Sequence, residues 1–380
     1  MKIAFICTEK LPSPAVKGGA IQLMLDGILP YFSRHHEVTV YSITDPLLPD
    51  TNEHNGIQYI RFPRPSFHEQ TAKDIEGKFY SHIHVFNRPG ELWRYKQASP
   101  KSKLFVSLHN DMFSTRKLKR EQALEALSMC DAITTVSEYI KRTVTFRYPD
   151  AEAKSHVVYS GVDFSSFLPR DSAEGEQKRA LWREKYGLNG KKAILFIGRL
   201  SRTKGPHLLI RAMKQVIREH PDSVLVIVGG KWFSEDGIND YVQFLYDEAA
   251  KLGEHVLFTK YIPSEDIPNI LLMGDLLVCS SQWHEPLARI HYEAMAAGLP
   301  IITTDRGGNA EVINHHMNGL IIKEYDQTNA FAEAISQLLA DSTGAVSLGK
   351  YGRQYAEKNF SFQHTAAKLE SIYVNAQKFG

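Results

Sequence analysis

The sequence has little cysteine, and this shortage argues against two kinds of scaffold. Three cysteines occur among 380 residues, and Cys7, Cys130 and Cys279 each lie in or beside an apolar run. An odd number of thiols in apolar surroundings indicates buried cysteines in a reducing compartment. A disulfide framework and a zinc cluster are therefore not expected.

Long apolar runs are also missing. No run approaches the roughly 20 residues that a membrane-spanning helix needs. The segment at residues 1–10 is too short and turns polar too early to be a signal peptide. We therefore expect a cytoplasmic protein that is not transmembrane.

A charge excess of either sign is the third feature that the sequence lacks. Its 45 basic and 43 acidic residues give a formal net charge of +2, which offers no case for nucleic-acid binding. One short basic run, at residues 116–122, is interpreted as the solvated start of a helix rather than as a docking patch for an anion.

The composition that remains is that of a soluble globular protein, with 43% hydrophobic and 23% charged residues. A chain of 380 residues exceeds the length at which a single core normally keeps growing. Two domains are therefore expected.

Short apolar runs alternate with longer amphipathic stretches, which is typical of a parallel sheet wound with helices. In the first half, strands are predicted at residues 3–7, 38–43, 58–62, 82–86, 104–108, 132–136 and 156–159, and helices at 20–33, 121–129 and 139–146. Residues 164–183 are polar and charge-rich, and we predict a linker there.

The alternation restarts after this segment. Strands are predicted within residues 191–200 and 222–230 and at 256–259, 276–279, 301–303 and 320–322, with helices at 206–220, 238–252, 267–273, 287–297 and 329–340. The sequence thus predicts an α/β protein of two Rossmann-like, doubly wound parallel-sheet domains that face a cleft. In such sheets ligands bind beyond the carboxyl ends of the strands.

Two features of the first half fall at such positions. Gly18 and Gly19 stand before a predicted helix, where their backbone N–H groups can approach a phosphate or a sugar, although a flexible turn explains them equally well. The G-x-G-x-x-G spacing of NAD-binding proteins is absent. His109 follows a predicted strand and can contact a substrate hydroxyl, or it is a buried histidine with its hydrogen bonds satisfied.

In the second half, the loop "GRLSRTKG" follows a predicted strand. It carries Arg199 and Lys204 beside Gly198 and Gly205. A guanidinium fork and an ammonium on a glycine-flanked loop suit a diphosphate, although a solvated loop is the alternative. The P-loop pattern G-x-x-x-x-G-K-[ST] is not matched, which disfavours ATP hydrolysis.

Two glutamates, Glu285 and Glu293, follow another strand of the second half. With a helix over residues 287–297, Glu293 lies about two turns into it and can accept hydrogen bonds from both hydroxyls of a ribose. The N–H groups of Leu287, Ala288 and Arg289 are expected to be free for an anion. A hydrolase pair and a solvated helix face stay open, and a metal site is disfavoured because only His284 and His291 stand nearby.

Together these segments resemble the retaining family-4 glycosyltransferases with the two-domain GT-B architecture. The resemblance covers nearly the whole chain and rests on "GGA", "YSGVD", "GRLSRTKG", "VGG", "EPLARIHYEAMAAGLP" and "GGNAEVI", with the E-x7-E spacing of Glu285 and Glu293. More narrowly, "SSQWHEPLARIHYEAMAAGLPIIT" resembles the spore-coat-associated glycosyltransferases of endospore-forming bacilli.

The resemblance implies transfer of a sugar from a nucleotide donor, with UDP-sugars first, to a hydroxyl with retention of anomeric configuration. It implies no metal and no cofactor. Arg199 and Lys204 would neutralise the diphosphate, Glu293 would hold the ribose, and Glu285 with the backbone of Leu287, Ala288 and Arg289 would bind the donor sugar and phosphate. Gly18, Gly19 and His109 would contact the donor from the other domain, and the backbone at Ile262 would contact the base.

The resemblance also implies the domain organisation. Residues 1–165 would form the acceptor domain and 166–361 the donor domain, with a helix at about 362–380 packing back on the first. A glycan, a lipid or a small molecule would be the acceptor, and spore-coat proteins are candidate partners, with the spore coat as a second location besides the cytoplasm.

One departure from the family concerns the residues after Glu285-Pro286. Leu287 and Ala288 replace the Phe-Gly that members often carry, and the Ala288 methyl stands where the backbone should approach the sugar. This leaves two alternatives on the same fold: a catalytically weak spore-coat structural protein, and a nucleotide-sugar epimerase. A phosphorylase is disfavoured because no pyridoxal-phosphate lysine motif is found.

Overall fold

The structure is a computed structural model that describes residues 1–230 and 237–378. The chain divides into two compact units. The first consists of Met1–Gly161 together with the C-terminal segment that begins at Phe362, and the second consists of Val162–Ser361.

The first unit is built on an eight-stranded sheet with the order β3-β4-β2-β1-β5-β6-β7-β8. Its strands are β1 (Lys2–Ile6), β2 (Glu37–Ile43), β3 (Thr51–His54), β4 (Ile57–Phe62), β5 (His82–Phe86), β6 (Lys103–Leu108), β7 (Ala132–Thr135) and β8 (Ser155–Val157). All pairings are parallel except that of β3 with β4. The direction of strand addition reverses between β1 and β5, so the loops after these strands lie at the switch point of this sheet.

Five helices of the first unit precede residue 162. They are α1 (Ala20–Phe32), α2 (Phe67–Ile75), α3 (Leu92–Ala98), α4 (Arg120–Met129) and α5 (Glu138–Thr145). Helix α5 begins after Ser137, whose hydroxyl accepts a hydrogen bond from the backbone N–H of Ile140 at 3.1 Å. The polar side chain thus satisfies one of the N–H groups that a helix start leaves without a partner.

The second unit contains a six-stranded sheet with the order β11-β10-β9-β12-β13-β14, and every pairing is parallel. Its strands are β9 (Lys192–Ile197), β10 (Ser223–Val228), β11 (Val256–Lys260), β12 (Leu276–Cys279), β13 (Ile301–Thr304) and β14 (Gly319–Ile322). Because the strand order reverses between β9 and β12, the loops after these two strands meet at the switch point. The two parallel-sheet units confirm the predicted fold class.

Seven helices lie in the described part of the second unit. They are α6 (Ala173–Lys185), α7 (Pro206–Glu219), α8 (Asp240–Ala250), α9 (Ile267–Met273), α10 (Ile290–Ala296), α11 (Thr328–Ala340) and α12 (Ser342–Asn359). Pro206 occupies the first turn of α7, where its missing N–H costs no hydrogen bond.

The predicted linker at residues 164–183 is wrong, because α6 occupies most of it. Ser172 begins this helix by accepting the N–H of Gly175 at 3.0 Å. Its arginines form ion pairs with Asp275, at 2.8 Å from Arg179 and 3.3 Å from Arg183. The sequence of this helix resembles a linker because α6 has almost no apolar face. Its arginines instead form ion pairs with the carboxylate of Asp275.

The last described helix is α13 (Phe362–Lys378), which packs in the first unit. The predicted helix at about 362–380 also includes residues 379 and 380, which lie outside the described residues. Tyr373 is fully buried, and its ring centroid lies 4.6 Å from that of Phe105. Phe362 packs on Gly27 of α1, where a Cβ would lie 2.3 Å from the Phe362 ring. A larger residue at position 27 would therefore push this helix away from α1.

The three thiols are buried and none forms a disulfide, as the sequence predicts. Burial raises the pKa of the Cys7 thiol far above its ordinary value and raises that of Cys130 to about 11. Both groups are therefore neutral and unreactive at physiological pH.

Candidate functional site

The switch point of the second sheet brings two predicted residues into contact. Lys204 lies at the end of the loop that follows β9, and Glu285 lies in the turn that follows β12, 81 residues later. The Lys204 ammonium is 2.8 Å from each of the two carboxylate oxygens of Glu285. The approach requires glycine at position 205, because a Cβ there would lie 2.3 Å from the carbonyl oxygen of Ser280.

The carboxylate of Glu285 is buried and strongly hydrogen-bonded, with the whole residue 7% exposed. Its Oε2 atom also accepts the hydroxyl of Ser281 at 2.9 Å and the indole N–H of Trp283 at 2.6 Å. Among the described residues, Oε1 accepts from Lys204 alone. The two oxygens of one carboxylate therefore have different remaining capacity for a ligand.

The backbone of Glu285 is held by the turn that follows β13. The N–H of Gly308 donates to the carbonyl oxygen of Glu285 at 2.8 Å. Gly307 has φ +65°, and a Cβ there would lie 2.0 Å from the same carbonyl oxygen. Gly307 of "GGNAEVI" thus permits a close contact that any side chain would prevent.

Asn309, in the same turn, corrects the expectation that the N–H of Ala288 is free for an anion. Its side-chain oxygen accepts this N–H at 3.1 Å. Helix α10 begins at Ile290, with Arg289 as its N-cap, and not at Leu287. The later start follows from Asn309, which holds the Ala288 N–H outside the helix.

Glu293 consequently lies in the first turn of α10 and not two turns into it. The Nε atom of Arg289 lies 3.5 Å from Oε1 of Glu293. Burial raises the pKa of this carboxyl, and Arg289 opposes the rise. The carboxylates of Glu285 and Glu293 therefore have separate cationic partners and different environments.

The imidazole of His291 is fully buried and links α10 to the preceding turn and to β13. Its Nδ1 lies 2.9 Å from the carbonyl oxygen of Ala288, and its Nε2 lies 2.8 Å from the hydroxyl of Thr303. Both ring nitrogens are therefore engaged within the protein. Within residues 1–230 and 237–378, no three histidine, cysteine, aspartate or glutamate side chains form a cluster able to hold a metal ion.

The other predicted residues of this unit lie along the same edge. Arg199 is partly exposed and lies two residues after the end of β9, and Ile262 lies in the loop that follows β11. Arg306, which the sequence interpretation missed, follows β13. Its Nε donates to the carbonyl oxygen of Gln282 at 3.1 Å, and its guanidinium lies 4.0 Å from the ring centroid of Tyr325.

In the first unit, the loop between β1 and α1 carries Gly18 and Gly19. Both have positive φ, at +70° and +102°, so the pair forms a defined turn with backbone angles that favour glycine. The loop is tied down by an ion pair of Lys17 with Asp45 and by Asp26, which accepts the N–H of Ala15 at 2.8 Å. Burial raises the pKa of Asp26 to about 6.

His109 comes directly after β6, as predicted, and lies at the carboxyl edge of the first sheet. Its backbone N–H donates to the side-chain oxygen of Asn87 at 2.7 Å, and its ring lies 5.7 Å from that of Phe86. Asn87 follows β5 and has φ +52°. This asparagine was also missed, because a single polar residue after a strand carries no periodic signal.

The described residues thus bring together Lys204 with Glu285, and Arg289 with Glu293. Gly18, Gly19 and His109 belong to the first unit, and the remaining predicted residues belong to the second. In the described part of the chain, no helix is both long and apolar enough to cross a membrane.

Comparison with known families accounts for both units. Residues 29–166 match the model described as Glycosyltransferase Family 4. Residues 178–355 match the model described as Glycosyl transferases group 1. The second match contains Lys204, Glu285 and Glu293.

Two similar proteins come from Bacillus subtilis (strain 168). One, named "Putative glycosyltransferase YtcC", is 51% identical over 373 residues, which cover 98% of this chain and 92% of that protein. The other, named "Spore coat protein SA", is 44% identical over 373 residues, which cover 98% of this chain and 99% of that protein.

A solved structure with the same fold is that of Anabaena Alr3699/HepE in complex with UDP-glucose. It is 22% identical with a TM-score of 0.79, and the match covers 99% of this chain and 100% of that one. With this fold, both family matches and a relative at 51% identity, the chain belongs to the family-4 glycosyltransferases with the GT-B architecture.

Proposed function

We propose that the protein is a retaining glycosyltransferase that moves a sugar from a nucleoside-diphosphate sugar to an acceptor hydroxyl without a metal ion. A UDP-sugar is the first donor to test, because HepE binds UDP-glucose on the same fold. The observation that carries the proposal is the ion pair of Lys204 with the buried Glu285 at the switch point of the second sheet.

The ion pair suits a diphosphate because the ammonium group has three N–H donors. Two of them face the oxygens of Glu285 at 2.8 Å, which leaves the third for a phosphate oxygen. Arg199 adds a second positive charge at the same edge of the sheet. Cations that are in place before the reaction stabilise the charge that develops on a departing diphosphate.

The two carboxylates take different parts of the donor. Oε1 of Glu285 has capacity for a sugar hydroxyl, and Glu293, with its raised pKa, is assigned to the ribose hydroxyls. Donor contacts are also assigned to Gly18, Gly19 and His109, because they lie at the carboxyl edge of the first sheet. The backbone near Leu287 and Ile262 would complete the contacts with sugar and base.

In the proposed reaction, the bond between the anomeric carbon and the diphosphate oxygen breaks. The acceptor oxygen forms the new bond on the same face of the sugar, and its proton passes to a phosphate oxygen of the leaving group. No protein nucleophile is consumed, and the anomeric configuration is retained. The protein contributes orientation and charge stabilisation.

The proposed acceptor and location are supported by the name of one relative. We propose a glycan, a lipid or a small molecule of the spore coat or a surface polysaccharide as acceptor, because a relative at 44% identity is named Spore coat protein SA. The reaction would take place in the cytoplasm or at the spore coat, with spore-coat proteins as partners.

The direct experiment is incubation of the purified protein with UDP-, GDP-, ADP- and dTDP-sugars, measuring released nucleotide with and without added acceptors. We expect release from at least one donor, an α-linked product from an α-linked donor by NMR, and full activity in EDTA. A folded protein that releases nucleotide from none of them contradicts the proposed activity, and an inverted product contradicts retention.

A second candidate is a spore-coat structural protein with little activity. It is favoured by the name of the relative at 44% identity. It is also favoured by Ala288, whose methyl group stands where the family's backbone should approach the sugar. A chain with Glu285→Ala and Glu293→Ala that supports normal coat assembly would favour this candidate over the enzyme.

A further inference from the structure

We propose that Trp283 is a positioning residue that fixes the Glu285 carboxylate in the orientation needed for the donor sugar. This inference rests on the proposed glycosyltransferase function. Its basis is the hydrogen bond from the indole N–H to Oε2 of Glu285 at 2.6 Å, a distance typical of strong bonds to charged acceptors.

The indole bond makes the two oxygens of Glu285 unequal. Oε2 accepts from Ser281, Trp283 and Lys204, which fills the roughly two lone-pair directions of a carboxylate oxygen. Oε1 accepts from Lys204 alone within the described chain. The neutral donors thus occupy Oε2 and leave Oε1 as the atom for a sugar hydroxyl.

The hydrogen bonds from Ser281 and Trp283 matter most when the nucleotide sugar binds. In the proposed complex the third N–H of the Lys204 ammonium donates to a phosphate oxygen, and sharing this cation with the diphosphate weakens its hold on Glu285. Ser281 and Trp283 would then keep the carboxylate in place. Because the bonds exist before any ligand is bound, the site does not lose entropy in forming them at that moment.

Trp283 is suited to an experiment because it is 37% exposed, so it is only partly buried and a smaller aromatic ring can replace it. Trp283→Phe keeps an aromatic ring and removes the N–H donor. Trp182→Phe is the matched control, because Trp182 stacks on Tyr186 in the surface of α6 and contacts none of these residues.

The first measurement needs no donor. The indole N–H signals of the four tryptophans are recorded by NMR on the full chain labelled with ¹⁵N. Trp283→Phe and Trp182→Phe each remove one signal and so assign it. Glu285→Gln should move the Trp283 proton signal to higher field, because a neutral acceptor bonds more weakly, and should leave the Trp182 signal in place.

The second measurement compares the affinities of a nucleotide sugar and of its parent nucleotide by calorimetry. The probes are UDP-glucose and UDP, or the nucleotide sugar that the donor panel identifies together with its nucleotide. Trp283→Phe should weaken binding of the nucleotide sugar by about 10-fold to 100-fold, the effect of one hydrogen bond to a charged group. Binding of the nucleotide should change by less than about twofold, because Glu285 contacts the sugar. Damage to the fold would weaken both.

A double-mutant cycle with Glu285→Gln completes the test. If Trp283 acts through Glu285, Trp283→Phe should cause almost no further loss once position 285 is Gln. An unmoved Trp283 signal in Glu285→Gln, an equal loss for nucleotide and nucleotide sugar, or additive effects in the cycle would each overturn the inference. A wild-type protein that binds no nucleotide sugar while the signal moves overturns the proposed function instead, and with it the role of the contact.

Discussion

The two units hold their candidate residues at the carboxyl edge of a parallel sheet, but by different means. In the second unit, charged side chains hold each other, as in the pair of Lys204 and Glu285 at 2.8 Å. In the first unit, the backbone holds them, because Gly18, Gly19 and Asn87 have φ of +70°, +102° and +52°.

The difference shows how each region can respond to a ligand. A side-chain ion pair can exchange one partner for a phosphate or a hydroxyl at little structural cost. A backbone turn cannot change its partners without leaving its φ and ψ region. We therefore expect the second unit to respond mainly to removal of charge, and the first mainly to an added Cβ.

The largest expected effect comes from Lys204→Ala. In the proposed mechanism the Lys204 ammonium stabilises the departing diphosphate, so kcat/KM with the active donor should fall by about 100-fold to 1,000-fold when this ammonium is removed. Lys191→Ala is the matched control, since Lys191 is 3.5 Å from an exposed Glu254. Equal steady-state kinetics for the two variants would break the assignment of Lys204.

Gly307→Ala tests the backbone contact between Gly307 and Glu285 in the second unit. Its Cβ would lie 2.0 Å from the Glu285 carbonyl oxygen, whereas at Gly190, with φ +73°, no atom lies within 4 Å. Both variants carry the strain of a positive φ, so Gly307→Ala should lose about 1–3 kcal/mol more in the free energy of unfolding than Gly190→Ala. Urea denaturation measures the difference, and equal losses would contradict the contact.

The raised pKa of Glu293 makes donor binding depend on pH. We propose that the ionised carboxylate accepts the ribose hydroxyls, so affinity for the nucleotide should fall by roughly tenfold, the effect of losing a hydrogen bond to a charged group, as the pH decreases through this raised pKa. Calorimetry with the nucleotide between pH 5 and 8 measures the effect. Glu293→Gln should bind weakly with a flatter profile, and an unchanged profile would show that another group titrates.

In the first unit, Gly19→Ala should be more harmful than Gly18→Ala. A Cβ at Gly19 would lie 2.5 Å from the side-chain oxygen of Gln22 and 2.6 Å from a methyl group of Leu11, whereas no atom lies within 4 Å at Gly18. These neighbours are ends of flexible side chains that can move. The difference therefore comes mainly from the backbone of Gly19, whose φ of 102° and ψ of 131° lie outside the left-handed helical region, and it should be about 1 kcal/mol in the free energy of unfolding. A more stable Gly19→Ala protein would contradict this order.

A further effect, on the pH dependence of stability, concerns Asp26, which accepts the N–H of Ala15 in the glycine loop. Its folded-state pKa of about 6 exceeds the ordinary value of 3.8, so the unfolded chain releases the proton first as the pH rises. The stability contributed by this group is full below about pH 4 and is lost by about pH 6. Asp26→Asn should reduce the pH dependence of chemical denaturation in this range, and an unaltered slope would exclude Asp26.

The sequence predicted the fold well because buried parallel strands are continuous apolar runs, as in β1, where residues 3–6 are fully buried. It missed the short helices α2 and α3, which have only nine and seven residues. It also missed β3, a mostly exposed edge strand, and α6, in which Gly175 is the one buried residue. Elements without a buried face have no hydrophobic period to detect.

The candidate site was predicted in part for a similar reason. Lys204 and Glu285 stand beside glycines and strand ends, which give a signal in sequence, but their contact depends on the adjacency of β9 and β12. Trp283 and Asn309 were missed because a single polar group in a turn has no pattern. Asn309 also explains the late start of α10, which helix propensity alone does not predict.

The central claim is that the switch point of the second sheet binds the diphosphate of a nucleotide sugar through Lys204. Calorimetric titration of the wild-type protein and Lys204→Ala with the same panel of nucleotide sugars tests it most directly. The account predicts saturable binding of at least one donor by the wild type and binding at least tenfold weaker by Lys204→Ala, for a loss of about 1.4 kcal/mol or more. No binding by the folded wild type, or equal affinity in the two proteins, would contradict it.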